Sequence, residues 1–188
     1  MIGSEASNGV NDVTIQHVLV NGTSYGFRIK SERDRGAAIY GITVQDMGMT
    51  YVPFPLIVET YYRSYPIYGP SEPPYDVVPA AGVTVTTPNI HDITLQDITA
   101  KYSVHASSIV GLPEKCIRNV TLSNVSIDSG DYGVHLRHMT GTFAGVTSTP
   151  AMPPPFIVQE TVTVNTSGGT PPIGPTSPQP GQIACGVQ

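Results

Sequence analysis

Arg28, Ile29 and Lys30 stand in sequence as cation, apolar residue, cation. On a strand, successive side chains point to opposite faces, so both cations share one face while Ile29 turns to the core. A paired positive face of this kind suits a ligand carrying carboxylates, which an arginine grips with two parallel hydrogen bonds. An ordinary solvated pair bridging to Glu5 or Glu32 would read the same way from sequence. Glu59 ends the next strand-like run, Leu56–Glu59, and is expected on the same face. Glu5, Glu32, Asp34 and Glu59 are the candidate acids of this region. Tyr61 and Tyr62 are candidate stacking platforms for a ring-shaped ligand, or packing for the proline-rich stretch that follows them.

Other reactive side chains give less. The five histidines, His17, His91, His105, His135 and His138, read as surface or turn residues. Three-residue spacing puts His135 and His138 on opposite faces of a strand, so a shared metal is not expected. Cys116 and Cys185 are too few for a disulfide framework or a zinc site, and their spacing leaves pairing or free thiols equally open. Asn-x-Ser/Thr triplets begin at Asn119, Asn124 and Asn165, a pattern common in threonine-rich strands.

The chain of 188 residues suits one domain, with charged residues at only 12% and a formal charge of −5. That balance lacks the basic footprint of a nucleic-acid binder. No apolar run reaches the length of a membrane span, and the opening Met1-Ile2-Gly3-Ser4-Glu5 has no signal-peptide character.

The elements that must position these residues appear as an internal repeat. Four segments share the pattern apolar-x-x-apolar-Thr-apolar-x-x-apolar, beginning at Val10, Ile39, Ile90 and Ile117. Aligned on Val13, Ile42, Ile93 and Val120, they step by 29, 51 and 27 residues. The alternation of apolar and polar residues and the abundance of Val, Ile and Thr predict strands. One such unit cannot bury its own apolar face, so the units must stack. A period near one coil predicts an all-β fold, a right-handed parallel β-helix. The long middle step predicts one coil plus an insertion at about 61–88, rich in Pro and Tyr. The coils are expected over 1–146, with a further strand and a Pro/Gly-rich tail over 147–188.

Ile2-Gly3-Ser4, followed one coil later by Gly26-Phe27-Arg28-Ile29-Lys30, resembles glycoside hydrolase family 28, the polygalacturonases and related pectin hydrolases. That family carries a Gly-His-Gly-x-Ser-Ile-Gly-Ser-like run and then Gly-x-Arg-Ile-Lys. Gly111-Leu112-Pro113-Glu114 also looks like its bacterial members, and the resemblance covers roughly Ile2 to Leu136. It implies inverting hydrolysis of galacturonan by a cluster of aspartates, without a cofactor, in an extracellular or periplasmic parent. It also implies that Arg28 and Lys30 bind substrate. The family's aspartates and its histidine belong one to two coils before Arg-Ile-Lys, and this chain does not contain them. The expectation is therefore a C-terminal portion of such an enzyme, catalytically incomplete as it stands. Two alternatives stay open: a non-catalytic carbohydrate-binding solenoid, and a glycosidase with a rearranged carboxylate site. An uncovered end of the solenoid predicts association between copies.

Overall fold

The computed structural model describes residues 1–4, 6–61, 79–105, 107–177 and 185. Among the described residues, eleven strands form two parallel sheets. The long strands are β1 (Val10–Asn21), β3 (Ala38–Thr50), β5 (Asn89–Ser103), β7 (Ile117–Ser129), β9 (Met139–Pro150) and β11 (Val162–Ser167). They make one sheet, neighbours in that order. The short strands are β2 (Tyr25–Lys30), β4 (Phe54–Glu59), β6 (Ser108–Val110), β8 (Val134–Arg137) and β10 (Phe156–Val158). They make the second sheet, again in coil order. The chain thus alternates between sheets and advances one coil with each pair of strands: a parallel β-helix.

The repeat read from sequence is the register of the stack. Val13 lies opposite Ile42, Ile42 opposite Ile93, and Ile93 opposite Val120. The repeated threonines align in the same way, Thr14 to Thr43 to Thr94 to Thr121. The extra residues of the middle step leave this register unchanged, as an insertion between coils should.

Strict alternation does not describe the long strands. The buried apolar positions of β5 are Ile90, Ile93, Leu95, Ile98 and Ala100, and those of β3 and β7 follow the same spacing of three, two, three and two. Each three-residue step contains one residue with a left-handed backbone. Asp12, Gly41, Asp92 and Asn119 form the first such column, with φ between 53° and 63°. His17, Asp46, Asp97, Asn124 and Gly145 form the second. Gly, Asp and Asn tolerate this conformation better than other residues. The extra residue bends the strand and restores the inward phase of its side chains, so one long strand wraps two sides of the core.

The bend columns are tied from coil to coil. Asn119 donates to Asp92, Asn124 donates to Asp97 at 2.7 Å, and His17 meets Asp46 at 2.7 Å. The hydrogen bond from Asn119, and then that from His91, hold the Asp92 carboxyl below the usual carboxylate range.

The sheets continue past residue 146. β9 runs on through Pro150, and β10 and β11 add the next strand to each sheet. Residues 168–177 then turn back over the last coil. Ile173 enters the hydrophobic core, Val162 donates to Thr176 Oγ1 at 2.9 Å, and Thr176 N donates back to Val162 O at 3.0 Å. Cys185 is joined to Cys116 by a disulfide, which fixes the tail to the loop before β7. At the other end β1 is an edge, and Val10, Val13, Ile15, Val18 and Val20 are only half-buried.

Two of the histidines correct the expectation of surface positions. His135 lies in β8 and His138 just after it, and both are buried. The face of the short sheet turned away from the core is itself covered: every residue of β8 is buried. Burial, then the charge of Arg137, pushes His138 down to about 3. Burial does the same for His135, against the hydrogen bond that its Nε2 donates to Gln159 Oε1 and with the help of Arg137.

Two outcomes follow from these arrangements. The disulfide closes a loop of 69 residues, for which chain entropy gives roughly 4 kcal/mol of stabilisation. Cys116→Ser/Cys185→Ser should lose up to that amount in urea unfolding, and limited proteolysis should then trim the tail first. The histidines make stability depend on pH. Their folded pKa lies below the unfolded value, so the unfolded state binds more protons between about pH 6.5 and 3. Stability should be full above pH 6.5 and fall with acidification, by at most roughly 1.4 kcal/mol per pH unit for each histidine. His138→Gln should flatten that slope in unfolding curves taken across the range.

Candidate functional site

The two sequence-predicted cations lie on β2, at the edge of the short sheet. Ile29 is fully buried in the core, so Arg28 and Lys30 share the opposite face. The parallel register turns that face into two rows. Arg28 is followed coil by coil by Ile57, Ser108 and His135, and Lys30 by Glu59, Val110 and Arg137.

Arg28 and Glu59 are diagonal neighbours in these rows, one coil apart and two residues along. Arg28 Nε donates to Glu59 Oε1 at 3.0 Å, and Nη2 donates to the same oxygen. The guanidinium also sits 4.4 Å from the centre of the Tyr25 ring, a cation–π contact within the same strand. Tyr25 stacks on Phe54 at 5.1 Å, and Phe54 on His105 at 4.4 Å. His105 Nδ1 lies 2.7 Å from Asp131. Arg28 is 4% exposed and Lys30 9%, so neither is a solvated surface cation. Arg28 pairs with Glu59, and of the two carboxylates that the sequence offered as alternatives, Glu5 lies outside the described residues and Glu32 pairs with Arg35.

The loops that follow the short strands carry further ion pairs. Arg33 grips Glu114 with two parallel bonds, Nε to Oε1 at 2.6 Å and Nη2 to Oε2 at 2.8 Å, and also donates to Pro79 O. Arg35 lies 3.3 Å from Glu32. Arg137, with no exposed surface, places Nε 2.7 Å from Glu160 Oε2, an ionic contact without the geometry of a linear hydrogen bond. The four buried glutamates Glu32, Glu59, Glu114 and Glu160 therefore each face an arginine.

Of the predicted residues, the structure brings together Arg28, Lys30 and Glu59. Glu32 sits in the adjoining loop against Arg35, and Asp34 is exposed on a turn with φ 70°. Tyr61 is buried with Val110 and Leu112. Glu5 and Tyr62 lie outside the described residues. Sequence reasoning missed Tyr25 and the buried pair of Arg137 with Glu160. Tyr25 was not legible, since a separation of three on a strand places it on the face opposite Arg28. Among the described residues, no three His, Cys, Asp or Glu side chains are grouped to hold a metal ion. No helix among them is long and apolar enough to cross a membrane.

The comparisons with known proteins meet this geometry at its motif. The chain is 29% identical over 128 residues to an endo-polygalacturonase of Pectobacterium parmentieri, covering 68% of this chain and 27% of that protein. An endo-polygalacturonase of Pectobacterium carotovorum subsp. carotovorum gives the same identity and coverage. A probable polygalacturonase of Vitis vinifera is 27% identical over 153 residues, 79% of this chain and 29% of that protein. The chain thus spans under a third of the length of these curated relatives. No solved structure matches. The family model for glycosyl hydrolases family 28 matches residues 1–146, which include β1 to β8, the motif Gly26–Lys30 and Glu59. With that match over most of its length, on a parallel β-helix, the chain belongs to glycosyl hydrolases family 28.

Proposed function

We propose that this chain supplies the C-terminal coils of a polygalacturonase-like hydrolase acting on pectin-type polysaccharide, and that Arg28 and Lys30 help to hold the anionic sugar. The observation that carries this reading is the buried Arg28–Glu59 pair at the family motif. Burying two charges costs desolvation that their attraction does not reliably repay, so such a pair is poor evidence of a purely stabilising role. A guanidinium fixed by Glu59 and by the Tyr25 ring is instead pre-oriented, with Lys30 beside it on the same face. Positive charge held in a partly desolvated setting attracts a uronate more strongly than the same charge in water.

Hydrolysis with inversion needs one carboxyl group to protonate the leaving oxygen and another to activate water, about 6.5–9.5 Å apart. The buried glutamates of the described residues are each engaged by an arginine. On this reading the chain binds substrate without completing the acid–base pair. The pairing of Glu59 and Glu32 also argues against a rearranged site built from Glu5, Glu32, Asp34 and Glu59. The disulfide supports an oxidising compartment, extracellular or periplasmic, for the parent protein. The half-buried apolar residues of the β1 edge, with Leu19 90% exposed, support association through that end, either with another copy or with further coils.

The test compares reducing-sugar release and binding on polygalacturonate for the chain and for Arg28→Ala/Lys30→Ala. Expected are retardation in polygalacturonate gels without release, and binding weakened on the order of 10-fold or more in the variant, as loss of charge-assisted bonds implies. Release abolished by the double substitution would overturn the incomplete-site reading. Because truncating one partner of a buried pair costs roughly 3–5 kcal/mol, Lys30→Ala alone serves as the variant that leaves the Arg28–Glu59 pair intact. Sedimentation velocity of the chain should show concentration-dependent association, and a strictly monomeric species would remove the β1-edge proposal.

A further inference from the structure

Tyr51 and Tyr102 occupy equivalent places in consecutive coils, where the long strand ends and the chain turns toward the short sheet. Their rings stack at 5.0 Å with an angle of 18° between planes. Each residue is 61% exposed, so the stack is not a piece of core left partly uncovered. Both also have left-handed backbones, φ 54° and 57°. At the other bends this conformation falls mainly to Gly, Asp and Asn, and a tyrosine there is disfavoured. Two coils in succession thus hold a bulky aromatic in a conformation that suits it poorly, and present it to solvent.

The ladder stops at Tyr102. In the next coil the equivalent segment is Asp128-Ser129-Gly130, with Gly130 N donating to Ser103 O at 2.8 Å. These small residues leave room on the side of Tyr102 turned away from Tyr51. A depression of about 380 Å³ lies there, lined by Tyr102, Asp128, Ser129, Gly130, Thr149 and Pro150 among others. Its polar groups offer several acceptors, beside the buried and unpaired hydroxyl of Ser103. Asp128 is an exposed carboxylate, Ser129 Oγ spends its proton on Tyr132 O at 2.9 Å, and Thr149 Oγ1 donates to Ile127 O at 3.3 Å. Each hydroxyl oxygen keeps lone pairs for a donor. No lysine or arginine lines the depression.

We propose that this depression is a second carbohydrate subsite, for an uncharged pyranose, separate from the cations of the short sheet. The C–H face of the sugar lies on the Tyr102 ring, which Tyr51 backs from the other side. Its hydroxyls donate to Asp128 and to the Ser129 and Thr149 oxygens. A uronate is rejected, because its carboxylate would meet Asp128 with no cation to offset the repulsion. The two sites therefore divide a mixed polysaccharide by charge: acidic residues at Arg28 and Lys30, neutral ones at Tyr102.

The experiment is saturation-transfer NMR and calorimetry on the full chain, with neutral galactan, xylan and glucan oligomers and with galacturonan oligomers as the charged control. Wild type should bind at least one neutral oligomer through its ring protons. Tyr102→Gly should weaken that binding at least 10-fold and leave galacturonan binding unchanged. Its Tm should hold or rise, because glycine relieves the left-handed backbone while a merely structural stack would be missed. Asp128→Asn should weaken neutral binding and lessen the discrimination against galacturonan. No binding by any neutral oligomer, or binding unchanged in Tyr102→Gly, would overturn the proposal. So would a fall in Tm for Tyr102→Gly with neutral binding intact, which assigns the stack to stability.

Discussion

Everything in this molecule depends on each coil returning to the register of the one before it. A single coil buries nothing by itself, and its apolar residues leave water only when the equivalent residues of the next coil land on them. Val13, Ile42, Ile93 and Val120 show that condition met across coils of different length. The left-handed residues make it achievable. They insert one residue per bend, turn the strand and bring the next side chain back to the core, so that a spacing of three and two replaces alternation. The Asp and Asn side chains at those bends then hydrogen-bond to one another along the stack, which adds a polar seam to the apolar one.

The same lattice decides what the site contains. Because strands are parallel and in register, residues from distant sequence positions form rows on the outer face of the short sheet, and Arg28 meets Glu59 across 31 residues. The loops that leave these strands also stack, which brings Arg33 to Glu114 across 81 residues. A chain with few charges has placed many of them in this region and buried them in pairs. Their burial fixes side-chain direction, the property a binding face requires, and stability alone would be as well served by apolar residues of similar size.

The sequence carried the coils plainly because four segments repeat a nine-residue pattern, and Arg-Ile-Lys showed that its two cations share a face because alternation on a strand is a local rule. Later coils were harder to see. In β9, Gly141 stands where Val120 stood and the register slips between Ile117 and Val120, so the repeat fades although the sheet continues. Partners across coils were legible in principle, since Glu59 lies one coil and two residues beyond Arg28. Finding them requires coil lengths that the insertion obscures. The burial of His135 and His138 was not legible at all. A histidine in a strand looks the same in sequence whether or not something lies over it, and here Gln159 of the next coil meets His135. The disulfide was hidden for a related reason, as the tail reaches Cys116 only by folding back over the last coil.

The spacing of the lattice bears on chemistry as well as binding. Neighbouring coils lie about 4.8 Å apart and alternate residues of a strand roughly 6.6 Å apart. Diagonal neighbours, one coil over and two residues along, are then separated by about 8 Å of backbone. In Arg28 and Glu59 a long arginine side chain closes that diagonal with hydrogen bonds. Two short carboxylates on the same diagonal would not touch, and their separation would fall within the range that leaves room for a water beside the sugar, about 6.5–9.5 Å. A parallel β-helix thus supplies the geometry of inversion from its own repeat, without special loops. Whether a given diagonal binds or cleaves turns on the residues placed there. Between β2 and β4 that diagonal holds Arg28 and Glu59, an ion pair that keeps charge in place where two carboxylates would leave room for a water.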